Sequence, residues 1–343
     1  MRYPKFLKKG GTVGFVAPSF GCVGDPYESA FNNALKNIES MGYKTWVGEN
    51  CRKAEGIGKS STPESCGKEL SSAYMADNND VLISCGGGEL MCEDIPYIDF
   101  EGIKKSEPKW FMGYSDNTNF TYLSATITDT AAIYGPCAGT FGQRKWHKAV
   151  DDAWKLLSGE KFEFTGYDGW ESKSLKDTDP LSSYNITEKE SLFFEPKSDK
   201  EKGVKMHGRL IGGCLDCLNI LVGTKFDKTR EFIEKYKKDG IIWFLEACDL
   251  NVMSISRSLW TLMEAGWFEG ASGFIFGRPY HFDEPLMNLD RHGAVRRVLH
   301  DSGVPIVMDV DLGHLPPAIP VITGAMATIE AKGDDFKISY ELK

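Results

Sequence analysis

Residues Lys109 to Ala125 read KWFMGYSDNTNFTYLSA, and the order of residue types in this stretch decides the fold. Trp110-Phe111-Met112-Gly113 is an apolar run of strand length, Tyr114-Ser115-Asp116 is a tight polar turn, and a helical pattern follows. A strand, a sharp turn and a helix in succession form the repeating unit of a parallel α/β sheet. A serine at such a turn has its hydroxyl exposed, with the backbone N–H of the next residue, here Asp116, directed toward any carbonyl it attacks. The usual elbow is G-x-S-x-G, and this chain has Asn117 where the second glycine would stand. Taken alone, the stretch fits a serine that N-caps the helix starting at Asp116 better than it fits a nucleophile.

The same unit recurs on either side. Upstream, Thr12 to Ala17 is an apolar run that ends in Pro18-Ser19, and a helical pattern covers Tyr27 to Met41. Strands are expected at Tyr43 to Val47 and Val81 to Ser84, with a helix opening at Pro63 between them. Ala131 to Tyr134 is a fifth strand and Trp146 to Leu157 a closing helix. Such a sheet binds ligands beyond the carboxyl ends of its strands, where the strand order reverses. Ser19, Gly86 to Gly88 and Ser115 all lie just past strand ends and so can share one rim.

From Phe162 to Lys202 the periodicity fails and turn residues accumulate, which marks a connection lying over the cleft. Strands resume at Val204 to Ile211, Ile241 to Leu245, Gly273 to Phe276 and Pro305 to Met308. Helices are expected through Leu221, over Thr229 to Lys237, Met253 to Ala265 and Leu289 to His300. Val321 to Ile329 and Phe336 to Leu342 read as a hairpin around Lys332-Gly333-Asp334-Asp335.

Length and charge narrow the function classes. At 343 residues the chain is long for one core, so two domains are expected. A formal net charge of -9 argues against nucleic acid as a partner, because neutralising phosphates takes a basic face. No stretch approaches the roughly 18 apolar residues of a membrane span, and Val13 to Pro18 is too short for a signal-peptide core, so cytoplasmic residence is the default. Nine scattered cysteines fit reduced thiols there. Cys214 and Cys217 form the one C-x-x-C, without a second pair or a histidine at ligand spacing, so no metal and no cofactor is expected.

Four features carry chemistry. Gly86 to Gly88 leave backbone N–H groups open to an oxyanion or a phosphate, or simply serve a turn that needs positive backbone angles. As a dinucleotide fingerprint the turn fails, since G-x-G-x-x-G requires glycine where Met91 stands. Glu246 ends the apolar run Ile242 to Leu245, so a carboxylate is buried at a strand end and needs a partner. It can be a structural ion pair, a cap, or the acid that orients a histidine. His147, His292 and His300 fall in charge-rich helical segments and read as solvated, His207 lies in a strand and His281 in a loop. His314 sits in a Gly and Pro-Pro loop after a strand, and beside a serine elbow and a strand-end glutamate it reads as catalytic.

Gly113-Tyr114-Ser115-Asp116, Gly86-Gly87, Leu210-Ile211-Gly212-Gly213 with Gly223-Thr224, Phe244-Leu245-Glu246 and Leu312-Gly313-His314 resemble, in order, the LD-carboxypeptidase family of serine peptidases. That family includes muramoyl-tetrapeptide carboxypeptidases and microcin C immunity proteins, and the resemblance spans nearly the whole chain. It implies a Rossmann-like N-terminal domain (1–165), a connecting segment (166–202), a C-terminal α/β domain of mixed sheet (203–343), and a homodimer. Ser115 becomes the nucleophile, His314 the general base and Glu246 its orienting acid, with the N–H groups of Gly87 and Asp116 as oxyanion hole. Ser19, Gly86, Gly88 and Trp170 are the substrate-binding candidates. Many relatives have Arg where this chain has Cys85 and Asn where it has Cys214, two departures that bear on substrate recognition.

Three functions follow: a carboxypeptidase removing a terminal D-amino acid from an L-centre in murein peptides, a hydrolase of peptidyl- or aminoacyl-nucleotides, or a non-catalytic protein holding an anion at Gly86 to Gly88. For the second, Tyr167, Trp170 and Tyr184 offer an aromatic face, although packing against the cleft wall is the somewhat simpler account of them.

Overall fold

The computed structural model describes residues 1–342. In the first half, β1 (Thr12–Val16), α1 (Tyr27–Ser40), β2 (Lys44–Val47), α2 (Pro63–Met75), β3 (Val81–Ser84), α3 (Phe100–Lys105), β4 (Trp110–Gly113), α4 (Thr118–Thr128), β5 (Ala132–Tyr134) and α5 (Lys148–Leu157) alternate. Thr62 caps α2 by accepting from the Ser65 N–H, and proline follows it at the first helical position.

After α5 come β6 (Glu163–Thr165) and, in the connecting segment, β7 (Gly169–Trp170), β8 (Glu188–Lys189), β9 (Phe193–Glu195) and the single turn α6 (Asp199–Lys202). The second half holds β10 (Val204–Cys214), α7 (Leu215–Leu221), α8 (Thr229–Tyr236), β11 (Ile241–Glu246), α9 (Val252–Glu264), β12 (Ala271–Gly277), α10 (Arg291–Leu299) and β13 (Ile306–Val310). It closes with β14 (Val321–Thr323), β15 (Met326–Lys332) and β16 (Asp335–Glu341).

Two sheets result. The first has the order β14-β5-β4-β3-β1-β2, parallel except for β14. Its strands β1, β3 and β4 are buried on both sides, which is why they read as unbroken apolar runs. The order reverses between β1 and β3, and the loops bearing Ser19 and Gly86 to Gly88 leave that point. The second sheet, β6-β16-β15-β10-β11-β12-β13-β9, is parallel from β10 to β13 and antiparallel at both ends.

Two short strands cross the expected divisions. β6, from the end of 1–165, pairs with β16 in the second sheet, and β14, from within 203–343, pairs with β5 in the first. The expected single strand Val321 to Ile329 is therefore two. Gly324, at a positive φ of 88°, breaks it, and the chain passes there from one sheet to the other.

Gly212 and Gly213, beyond the strand end expected at Ile211, lie inside β10. A Cβ at Gly212 would stand 1.8 Å from the Phe244 carbonyl oxygen, and one at Gly213 2.6 Å from Thr118 Cγ2. The glycines thus let β10 approach both β11 and α4 of the first half, where the Thr118 hydroxyl accepts from the Cys214 N–H at 3.0 Å. Gly212→Ala should cost about 1–3 kcal/mol through overpacking against backbone that cannot yield, read as a lowered midpoint in urea unfolding. An unchanged midpoint would show that the strands separate freely.

Candidate active site

Ser115 sits at the end of β4 with φ at 62°, a left-handed conformation that costs a non-glycine residue free energy and must be held by its surroundings. Tyr114 occupies the position before the short 3₁₀ turn Ser115–Asn117, and no side chain caps either that turn or α4. The capping role that the isolated stretch favoured is therefore absent: the Ser115 hydroxyl faces His314, with Oγ 2.8 Å from Nε2. On the other side of the ring, His314 Nδ1 lies 2.8 Å from Glu246 Oε2. A carboxylate only accepts, so Nδ1 carries the proton and the neutral ring keeps Nε2 free to accept from Ser115.

Glu246, the last residue of β11, is buried at 1% exposure. Its second oxygen accepts from the Tyr134 hydroxyl, which itself accepts from the Ser115 N–H at 3.0 Å. Burial pushes the Glu246 carboxyl up, but the charge and hydrogen bond of His314 together with the Tyr134 donor bring it below its ordinary value. Burial likewise depresses the His314 imidazole, and the Glu246 carboxylate, with Cys248 beside it, more than offsets this, so that it sits well above its ordinary value. Gly313, at φ 97°, is required by this contact: a Cβ there would lie 2.7 Å from Glu246 Oε2.

Asn117, which replaces the second glycine of the elbow, ties the site together. Its amide donates to the Gly86 carbonyl at 2.9 Å and to the Tyr114 carbonyl at 3.0 Å, linking the β4 and β3 loops. Gly87 then packs directly on the serine, since a Cβ there would stand 3.1 Å from Ser115 Oγ. Asp116 is buried, and its carboxylate accepts from the Ser19 hydroxyl, the Met91 N–H and the Asn119 amide.

The substrate-binding candidates divide. Gly86 and Gly88 lie in the turn facing Ser115, and Gly88 holds a φ of 155°. Ser19 is fully buried, its hydroxyl engaged by Asp116, so it supports the turn from beneath and does not face the cleft. Trp170 is also buried: its indole N–H donates to the Lys189 carbonyl and its ring packs on Phe282 and Arg278. Tyr167 is buried against Asp152, whereas Tyr184 lines a cavity of about 160 Å³ together with Tyr114 and His314. A wider surface depression of about 910 Å³ lies around Lys205, Glu330 and Lys337; Tyr167 reaches its wall, while Ser115, Glu246 and His314 do not.

Two histidines expected in solvent are not there. His292 stacks on Phe193 with ring centroids 4.0 Å apart and bonds Asp309, and His147 caps α5 by accepting from the Ala149 N–H. His292 responds to neighbours distant in sequence, whereas His147 is held by a local helix cap. Sequence reasoning also missed Tyr134, whose signal was its place at a strand end before Gly135-Pro136. Tyr134→Phe strips a donor from a buried carboxylate and an acceptor from the Ser115 N–H, and should cost about 1–3 kcal/mol of stability in urea unfolding.

Among the described residues no group of three or more His, Cys, Asp or Glu is arranged to hold a metal ion, and no helix is long and apolar enough to cross a membrane.

Two α/β units with a serine, a histidine and a glutamate converging between them define a class of fold and site. The chain matches the LD-carboxypeptidase N-terminal domain over residues 13–135 and the LD-carboxypeptidase C-terminal domain over residues 207–329. It belongs to the LD-carboxypeptidase family. A probable murein peptide carboxypeptidase of Bacillus subtilis (strain 168) is 28% identical over 339 residues, covering 95% of this chain and 91% of its own. The microcin C7 self-immunity protein MccF of Escherichia coli is 22% identical over 98% of this chain and 95% of its own. MccF solved in complex with aspartyl sulfamoyl adenosine aligns at a TM-score of 0.82 and 20% identity, with 98% of each chain covered. An MccF-like protein from Bacillus anthracis str. Ames aligns at 0.84 and 23% identity over 100% of both chains, a likeness of fold.

Proposed function

We propose that this protein is a serine carboxypeptidase that removes a terminal D-amino acid from an L-centre in murein peptides. The observation that carries the reading is the unbroken chain from Ser115 Oγ through the His314 ring to Glu246, built from three loops of two sheets. His314 Nε2 takes the Ser115 proton as Oγ bonds to the scissile carbonyl carbon, and the Gly87 and Asp116 N–H groups stabilise the oxyanion. The C–N bond then breaks, His314 returns the proton to the leaving nitrogen, and water hydrolyses the acyl-enzyme by the same route in reverse. Glu246 holds the tautomer and offsets the charge of the imidazolium. Ser19, Asn117 and Tyr134 are positioning residues that keep Ser115 in its strained backbone conformation.

The cavity beside His314 supports an amino acid as leaving group. At about 160 Å³ it falls below the roughly 300 Å³ at which pockets for drug-sized ligands begin. A second reading, cleavage of a peptidyl- or aminoacyl-nucleotide, draws on the MccF complex with aspartyl sulfamoyl adenosine and on Tyr114 and Tyr184 in the cavity wall.

One experiment separates the readings: incubation with an L,D-tetrapeptide and with an aminoacyl sulfamoyl nucleotide, products identified by mass spectrometry. Release of D-alanine from the first with the second intact supports the carboxypeptidase; the converse supports the nucleotide hydrolase. Labelling of Ser115 by a fluorophosphonate is expected in both cases and would weigh against a protein that only holds an anion at Gly86 to Gly88. The reading places the enzyme in the cytoplasm as a homodimer, to be checked by fractionation and light scattering.

A further inference from the structure

The direction of proton transfer orients a substrate in this site. The leaving nitrogen receives its proton from His314 Nε2, so the leaving residue occupies the space on which that ring opens. The His314 loop borders one such space, a cavity of about 160 Å³ whose walls also include Tyr114 and Tyr134 of the first half and Glu171, Lys176 and Tyr184 of the connecting segment. It has room for roughly five waters at ~30 Å³ each, the scale of one small amino acid.

The connecting segment is fastened to the His314 loop. The Glu171 N–H donates to the Pro316 carbonyl at 2.7 Å, and the Tyr167 N–H donates to Asp311 Oδ2 at 2.7 Å. Of the two charged side chains that this segment sends to the cavity, Glu171 is buried and accepts from the Asn185 N–H. Lys176 is different: its backbone N–H bonds the Ser174 hydroxyl, while its ammonium has neither a hydrogen bond nor an ion pair among the described residues. Burial lowers the Lys176 pKa, with Glu171 opposing, so an ammonium at this position is short of counter-charge.

Resting on the carboxypeptidase reading, we infer that Lys176 binds the terminal carboxylate of the leaving amino acid and so confines cleavage to the last residue of a peptide. A free carboxylate supplies the charge-assisted acceptor that Nζ lacks, whereas a C-terminal amide or a following residue supplies only a neutral group. Lys176 is a specificity-determining residue in this account.

Direct binding tests this independently of turnover. N-acetyl-D-alanine and N-acetyl-D-alaninamide are titrated by calorimetry into the whole protein, wild type, Lys176→Met and Lys176→Arg. The acid should bind wild type roughly tenfold to a hundredfold more tightly than the amide. Lys176→Met should lose that preference and Lys176→Arg should keep most of it. Equal binding of acid and amide to wild type, absence of binding by the acid, or an unchanged preference in Lys176→Met would each overturn the inference. Ser115 labelling by a fluorophosphonate, measured on the wild type alone, reports separately whether the hydrolase reading holds. A protein that labels at Ser115 but shows no preference for the acid keeps its activity class and loses this subsite.

Discussion

Ser115→Ala should leave a folded protein whose hydrolysis is slower by about 10⁴-fold or more. Alanine tolerates a φ of 62° no worse than serine does, and the Ser115 N–H keeps its bond to the Tyr134 hydroxyl, so the elbow retains its shape. What is lost is Oγ, the atom 2.8 Å from His314 Nε2 that forms the acyl bond in the proposed mechanism. The measurement is kcat/KM on the tetrapeptide beside a near-ultraviolet circular dichroism spectrum and a thermal midpoint. Wild-type turnover by this variant would remove Ser115 from the mechanism, whereas loss of turnover with loss of fold would require Ser115→Gly to decide.

Glu246→Gln should have the second largest effect, about 10³-fold to 10⁴-fold on kcat, because a neutral amide neither fixes the imidazole tautomer nor compensates its charge. Its pH profile carries the more specific test. His314 works as a base only when neutral, and the Glu246 carboxylate raises its pKa well above the ordinary 6.5. In the wild type, kcat/KM should therefore rise along an acid limb centred above pH 6.5. Without the carboxylate, burial weighs more heavily and the limb should move to lower pH than in the wild type. A limb that stays in place in Glu246→Gln would separate the carboxylate from the histidine.

The same pair sets a stability window of opposite sense. The raised His314 pKa contributes stability fully present below pH 6.5 and lost as pH rises through its folded value. The lowered Glu246 pKa contributes stability present above about 4.5 and lost as pH falls through its folded value. The ion pair thus stabilises the fold between those limits, and activity grows as its upper part fades.

Much of this was legible in the chain, for identifiable reasons. β3 and β4 were readable to the residue because strands buried on both faces leave continuous apolar runs bounded by polar turns. Glu246 stood out because a carboxylate directly after four apolar residues has to be buried and partnered. The failures have a common origin in contacts made across the chain. The strand expected to stop at Ile211 runs on through Gly212-Gly213 to Cys214, where Phe244 and Thr118 leave no room for side chains. Trp170 and Tyr184 are both aromatic residues of one irregular segment, and only their neighbours put the first in the core and the second at the cavity.

Sequence by itself determined the alternating α/β order, the strand ends at which Ser115, Glu246 and His314 emerge, and the family. Local residue patterns are sufficient for those, since periodicity and turn chemistry act over a few residues. The tertiary structure alone decided that Ser115 and His314, 199 positions apart, meet at hydrogen-bond distance, and that the serine faces a histidine in preference to a helix end. It also decided that Lys176, without an ion pair among the described residues, stands in the wall of the cavity beside His314. The physical reason is that hydrogen bonding and ion pairing depend on separation in space, and a separation created by closing two sheets on one another has no trace in the spacing of residues along the chain.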